Sequence, residues 1–426
     1  MASWTESGIQ GPDGEDWRVP VSELEARLEL LSIALQDNSL PGVFIQHPVD
    51  LYYFAGGRQN ATLFVPAKGS EASIEGGGNG PVLFVRRSIS RAKYEAGESN
   101  APFDIQAFPR MNNLVEVLRD IGVLQAPALQ FGEIPSSFIQ RFTEVLSPLG
   151  SCGDATEIIH NIREIKSDWE IEQMKISSTI QAKMFDAVEQ NLAEGISELE
   201  LVAAAEQVSR TEGFGGNIQM RRYPLQCDRG VIVSGRAGGI PSFFDSAVGG
   251  TGAHPLAGMG SGFNKIKSNE PILVDLVHVH RGYVVDKTRM FSVGKLSQQW
   301  HERLDHMIEV SDAVVASLAS GDECSMAWEK GSQLAYQLGY EENLMGMKPD
   351  QSRFLGHSVG LQLDESPVVA KGFNRSLPIG GTMAIEPKVV YLEGSIGVED
   401  TWIKTSDNME CLTRLELQNE KFISEV

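Results

Sequence analysis

Cysteine is scarce and scattered in this chain. Cys152, Cys227, Cys324 and Cys411 are the only four in 426 residues, and no Cys-x-x-Cys spacing occurs. That excludes a zinc knuckle and a dithiol redox motif and points to reduced, partly buried thiols. Basic residues are short as well: 36 Lys and Arg stand against 57 Asp and Glu, for a net charge of −21. A surface of that sign repels phosphate backbones, so nucleic acid is not an expected partner. No stretch approaches the ~18 to 20 apolar residues of a membrane span, so no membrane partner is expected either. The opening segment MASWTESGIQGPDGEDW has neither the basic start nor the apolar run of a secretory signal. A soluble, cytoplasmic protein is expected. The connector GSEASIEGGGNG lacks the Lys and Ser/Thr that complete a phosphate loop and reads as a flexible hairpin loop.

What the chain does have is enough apolar material, 42% of residues, to bury more than one core. Residues 1–20 read as a loose arm, 21–157 as a mixed helix-and-strand domain, and 158–426 as a second domain. In the first, Ser22 and Glu25 form a capping-box pattern, with Leu24, Leu28, Leu31 and Leu35 at helical spacing. GVFIQHP and LYYFAG read as buried strands or strand-edge segments, and ATLFVPA and PVLFVRR as two strands joined by the glycine-rich connector. In the second domain, residues 161–192 read as one long helix. Ser197 with Glu200 starts another, which should stop near Gly213, and a third runs from Ser297 to Ser320 and ends at Gly321. Strand-like runs dominate 215–292 and 381–404. The fold class is therefore α+β, with helices outside an antiparallel sheet.

The chemistry concentrates in five residues of this second domain. Asp275 and Asp286 lie in ILVDLVHVHRGYVVDKTRMF, His357 in FLGHSVG, Glu386 in AIEPKVV and Glu399 in IGVEDT. ILVDLVHVH and YVVDKTRMF read as apolar strands separated by Arg281 and Gly282, a plausible tight turn. If the turn centres on His280 and Arg281, or nearly so, the two aspartates fall opposite one another, roughly 4.5–5.5 Å apart at Cβ. Like charges that close need a cation between them. A second hairpin would bring Glu386 and Glu399 together in the same way. Four carboxylates and one imidazole form a hard donor set, better suited to a pair of divalent cations than to a structural zinc. In an unbroken strand His278 and His280 point away from the face of Asp275. Arg221, Arg222, Arg236 and Arg289 could each bind a carboxylate, and the sequence does not choose among them.

On these motifs the chain resembles the pita-bread metallopeptidases: methionine aminopeptidases, aminopeptidase P, prolidases and the related creatinases. Residues 22–150 resemble the creatinase-type N-terminal domain and about 160–420 the pita-bread catalytic domain. IREIKSDWEIEQM resembles the family's first catalytic-domain helix, and DLVHVHRGYVVDKTRMF its two-aspartate hairpin. The resemblance implies a dinuclear metal centre of Mn, Co, Zn or Fe. Asp275 would chelate one metal, Asp286 and Glu399 would bridge both, and His357 and Glu386 would complete the second. It implies hydrolysis by a metal-bridging hydroxide with Glu386 as general base. The bond cleaved would be Xaa-Pro in a short peptide, by a dipeptidase or aminopeptidase P type of enzyme, working as a homodimer. His254, in TGAHPLAG, resembles the family's catalytic histidine. Three departures bear on substrate. Asp364 stands where family peptidases carry a second histidine, seven residues after His357, and an ionised aspartate only accepts hydrogen bonds. Arg353 and Gly397 stand where aminopeptidase P has a histidine and an arginine. Asp364 and Gly397 keep one rival open, a metal-dependent small-molecule lyase or C–N hydrolase on the same scaffold. A second rival is a non-catalytic binding module, against which the five intact ligands argue.

Overall fold

The four leucines expected to line one helical face, Leu24, Leu28, Leu31 and Leu35, are all buried in the helix Val21–Asp37. The helix begins one residue before Ser22. Pro20 at the N-cap, with φ −56°, sets the chain on a helical path, and no side chain caps the end, so the expected Ser22–Glu25 capping box is not made. The computed structural model describes residues 9–97, 100–216, 218–222, 227, 230–414 and 421–426. The chain divides into two units, one ending at Arg163 and the next beginning at Glu164.

The first unit is built on a four-stranded sheet of Gly42–Ile45, Ala61–Pro66, Val82–Val85 and Asp104–Ala107, in sequential order. The first three strands are antiparallel and wholly buried, and the fourth joins in parallel. The glycine-rich connector links the second and third strands, as expected. LYYFAG differs from expectation: it lies in the helix Pro48–Ala55, with proline at its start and Gly56 closing it at φ 72°. Proline at the first helical position and a left-handed glycine at the end delimit this single short helix. Its Asp50 is fully buried and held by three side chains: Arg163 Nη1 at 2.8 Å, Gln130 Nε2 at 2.6 Å and His47 Nδ1 at 3.0 Å.

Where the chain passes from the first unit to the second, the long helical run is broken. Helices Thr156–Glu164 and Asp168–Asn191 replace the single helix expected across 161–192. Ser167 and Glu170 form a reciprocal capping box, 3.2 and 3.0 Å, which starts the second of them. The signal, Ser-Asp-Trp-Glu, is present in the sequence. The other expected capping box is made: Ser197 and Glu200 cap Glu198–Thr211, and Gly213 follows at φ 103°. The helix Gln298–Ala319 is likewise bounded by Ser297 and Ser320.

Strands gather into two main sheets. One is ordered Ile423–Glu425, Tyr283–Ser292, Ile272–His280, Gly230–Ser234. The other is ordered Met409–Cys411, Asp400–Lys404, Thr382–Ile385, Phe354–Ser358, Glu365–Ala370. All pairings are antiparallel except that of Ile423–Glu425. The stretch 235–271 is turns and a short 3-10 helix, Gly235–Gly239, rather than strand.

The two-aspartate hairpin forms with its turn at Arg281 and Gly282, as expected, but the aspartates do not fall opposite one another. Arg281 and Gly282 both have positive φ, 50° and 97°, which makes them the two central residues of a tight turn. His280 therefore pairs with Tyr283, Asp275 with Thr288, and Asp286 with Val277. The aspartates share a face but lie diagonally, two positions out of register.

The opposite face of this hairpin carries His278, fully buried, with Nδ1 2.9 Å from Ser209 Oγ. Burial, with a contribution from His280, lowers its pKa to about 3. The unfolded chain, with an ordinary histidine near 6.5, takes up this proton first as pH falls. His278 therefore costs stability progressively below about pH 6.5, by up to about 1.4 kcal/mol per pH unit. In metal-loaded protein, His278→Gln should flatten the fall of the urea midpoint between pH 6.5 and 5. An unchanged slope would exclude His278 as its source.

Candidate metal centre

The second hairpin brings together the remaining acids. Lys388–Tyr391 pairs with Gly394–Gly397, Lys388 opposite Gly397, and Ile385 pairs with Asp400 on the other side. Continuing either register sets Glu386 across from Glu399. Glu386 is anchored by its N–H to the Leu355 carbonyl, 2.9 Å, beside the strand that ends with His357 and Ser358. An isolated bridge, Thr288 to Glu399, joins the first hairpin to this group, and Thr288 Oγ1 donates to Glu399 Oε2 at 2.9 Å. Thr401 Oγ1 clamps the Asp286 backbone, accepting from its N–H at 3.0 Å and donating to its carbonyl at 2.9 Å. Arg289 holds the Glu399 carbonyl and the Asp400 carboxylate, 2.9 and 2.7 Å. The expected residues Asp275, Asp286, His357, Glu386 and Glu399 thus converge on one cleft of about 520 Å³, counting its open mouth.

Four of the five are buried, and Asp275 is partly exposed. Ligand atoms of Asp286, His357 and Glu399 all lie within 4.8 Å of one another. His357 Nδ1 is 3.3 Å from the Ser358 carbonyl and Nε2 is 3.4 Å from Glu386 Oε1. With Nδ1–H donating to that carbonyl, the Nε2 lone pair faces the carboxylates.

A sixth residue, which the sequence reading passed over, lies among them. Lys388 Nζ is 2.6 Å from Glu386 Oε2, 2.8 Å from Glu399 Oε2 and 3.3 Å from Asp275 Oδ2, and its side chain is only 2% exposed. The signal for it was spacing: in an extended chain, positions two apart point the same way, and Lys388 is two beyond Glu386.

The field is uneven. Burial, then Glu399 and Asp275, push Asp286 well above the usual carboxylate range. Burial and Glu386 push Glu399 up to about 8. Burial also opposes charge on Glu386, but Lys388 and His357 outweigh it and hold that carboxyl at about 2. For His357 burial is outweighed by Glu386, Asp364 and Glu399, which lift it to about 9. Two carboxylate oxygens, Asp286 Oδ1 and Glu399 Oε1, are buried without a hydrogen-bond partner among the described residues. Orphaned anionic oxygens beside an imidazole fit a divalent cation, which would displace the proton from His357.

Asp364 lines the cleft, its Oδ1 3.8 Å from His357 Nδ1, in a left-handed conformation at φ 61°. His254 lies elsewhere, exposed on a loop where it bridges to Ala257, and is not among the residues lining the cleft. None of Arg221, Arg222, Arg236 and Arg289 lines it either.

Residues 172–406 match the model of Metallopeptidase family M24, and residues 27–165 that of the Creatinase/Prolidase N-terminal domain. The chain belongs to metallopeptidase family M24 and is a peptidase whose family chemistry uses divalent metal. It is 22% identical, over 92% of its length and 99% of the relative's, to a Xaa-Pro dipeptidase of Pyrococcus furiosus. Among solved structures it is similar to a Xaa-Pro dipeptidase from Bacillus anthracis, with TM-score 0.76 and 18% identity over 94% of this chain and 100% of that one. It is also similar to an X-Pro aminopeptidase from Thermotoga maritima, with TM-score 0.71 and 18% identity over 92% and 99%. At those identities the structural likeness shows the fold: a creatinase-type N-terminal domain followed by the family's catalytic domain, as expected.

Proposed function

We propose that this chain hydrolyses Xaa-Pro bonds in short peptides that carry a free N-terminus, using divalent metal held at Asp286, His357 and Glu399 with Glu386 alongside. The observation that carries the reading is the pair of orphaned carboxylate oxygens on Asp286 and Glu399, residues whose ligand atoms cluster with that of His357. The likeness to Xaa-Pro dipeptidases over nearly the whole chain supports the bond specificity.

The metal would supply Lewis acidity, polarising the scissile carbonyl and easing deprotonation of water. The residues around it do the rest. Glu386, held ionised, accepts the proton of the attacking water and returns it to the proline nitrogen as that nitrogen leaves. Met220, Phe244, Met259, Phe354 and Leu363 line the cleft with apolar surface suited to a pyrrolidine ring. Asp364 faces the same space as an acceptor, which suits a substrate α-ammonium better than a developing oxyanion. His254 has no part in this proposal. In this reading the chain works as a homodimer in the cytoplasm. The test is turnover of Xaa-Pro dipeptides and longer Xaa-Pro peptides, free and N-acetylated, with Mn, Co, Zn or Fe supplied in turn. Cleavage of free but not acetylated peptides is expected, and it should stop when a chelator is added. No prolyl-peptide turnover with any metal would sink the reading. The missing oxyanion donor at Asp364 would then favour a small-molecule lyase or C–N hydrolase.

A further inference from the structure

The family resemblance leads one to expect two divalent cations, yet one of the two positions already has a cation. Lys388 Nζ contacts Glu386 Oε2, Glu399 Oε2 and Asp275 Oδ2 at 2.6, 2.8 and 3.3 Å. A divalent metal taking those oxygens at its usual ~2.0–2.2 Å would fall within about 3 Å of the ammonium, and the two cannot coexist there. Asp286 Oδ1 and Glu399 Oε1 are left without a hydrogen-bond partner among the described residues, and both residues present a ligand atom within 4.8 Å of one on His357.

An independent feature shows that the fold is shaped around the lysine. Gly397 is its cross-strand partner. A Cβ at Gly397 would meet Lys388 Cγ at 2.6 Å and the Pro387 carbonyl at 2.5 Å, so a side chain at 397 would push the lysine stem off its path. The lysine backbone is fixed as well, its carbonyl accepting from Met345 N–H at 2.8 Å. Lys388 and the bare position opposite it therefore belong together: the glycine makes the room that the ammonium needs to reach the acids.

We propose that the ammonium of Lys388 is a resident cation standing in for one divalent metal, so that the site holds a single metal ion, on the Asp286–His357–Glu399 side. The charge is consistent. One divalent ion and one ammonium leave a single net negative charge on the four carboxylates, whereas two divalent ions added to the ammonium would leave the buried cluster positive.

This inference rests on the metal-dependent reading above, and the experiment separates the two. Metal per chain is measured by elemental analysis and titration calorimetry on protein loaded with excess Mn²⁺ or Co²⁺ and then desalted. Prolyl-peptide turnover is measured on the same samples. Wild type is expected to hold one ion per chain, Lys388→Arg to hold one, and Lys388→Ala to hold two. Lys388→Met, which keeps the stem without the charge, serves if Lys388→Ala does not fold. Two ions, or none, in wild type overturns the inference, as does a folded uncharged variant that still holds one. Two ions with turnover would leave the peptidase reading standing. One ion without turnover would sink that reading and leave the inference intact.

Discussion

Glu386→Gln should reduce kcat for a prolyl peptide by at least 10²-fold, toward the ~10²–10⁴ typical of losing a general acid–base group. The carboxylate has two neighbours with different demands. Oε2 meets Lys388 Nζ at 2.6 Å, and Oε1 faces His357 Nε2 at 3.4 Å. The amide keeps one oxygen, which can still accept from Lys388, so the hairpin keeps its closest contact. The amide NH₂ then falls on the side of the imidazole and has no basic lone pair to take a proton from water. Substrate affinity draws on the apolar wall and Asp364, which the change leaves in place, so the loss should fall on kcat rather than KM. Steady-state kinetics with a matched circular dichroism spectrum and metal content checks this. Full activity in a folded, metal-loaded Glu386→Gln protein would remove Glu386 as the base.

The ligand residues were legible in the sequence because burying a carboxylate in an apolar strand is costly, and four such acids imply a cation. The first hairpin was legible from its Arg281–Gly282 turn between two apolar runs, and the second from the apolar runs that end in Glu386 and Glu399. Their registers were not equally so. Glu386 and Glu399 face one another as expected, whereas Asp275 and Asp286 lie diagonally because Arg281 adopts a left-handed conformation and shares the turn with Gly282. A bulky residue at positive φ gives little sign of itself in sequence. Lys388 was missed for a related reason: a lysine beside a proline reads as a solvated strand end, and only the tertiary placement of three acids around it shows otherwise. The break at 165–167 carried its own Ser-x-x-Glu signal, but the continuous helical pattern on either side masked it. LYYFAG carries three strand-forming aromatic residues, Tyr52, Tyr53 and Phe54, and becomes a helix because Pro48 and Gly56 set its ends.

Asp50→Asn should cost the first unit about 3–5 kcal/mol, the range for breaking a buried charge pair by removing one partner. Asp50 is fully buried, and its two oxygens are used differently. Oδ1 accepts from Arg163 Nη1 at 2.8 Å, while Oδ2 accepts from Gln130 Nε2 at 2.6 Å and faces His47 Nδ1 at 3.0 Å. An asparagine can place its oxygen at only one of these positions. If it serves Arg163, its NH₂ meets the Gln130 amide donor and, where Nδ1 is protonated, the His47 donor as well. If it serves Gln130, the buried guanidinium loses the Asp50 oxygen as an acceptor, and in either orientation it loses the Asp50 charge. Gln130 cannot simply turn round, because its Oε1 accepts from the backbone N–H groups of Gln46 and His47 at 2.8 and 3.0 Å. The pH dependence gives a second check. Burial opposes the charge on Asp50, but Arg163 and His47 outweigh it and hold the carboxyl well below the usual range. A depressed carboxylate gives stability that is present above its unfolded pKa, near 3.9, and is lost as pH falls toward the folded value. The gap between wild type and Asp50→Asn should therefore be full at pH 7 and narrow below about pH 4. Hydrogen exchange should show the loss in the strands Gly42–Ile45 and Ala61–Pro66, and guanidinium titration should give its size. A penalty under about 1 kcal/mol at pH 7, or one that does not narrow in acid, would mean that the Asp50 charge does not hold this region together.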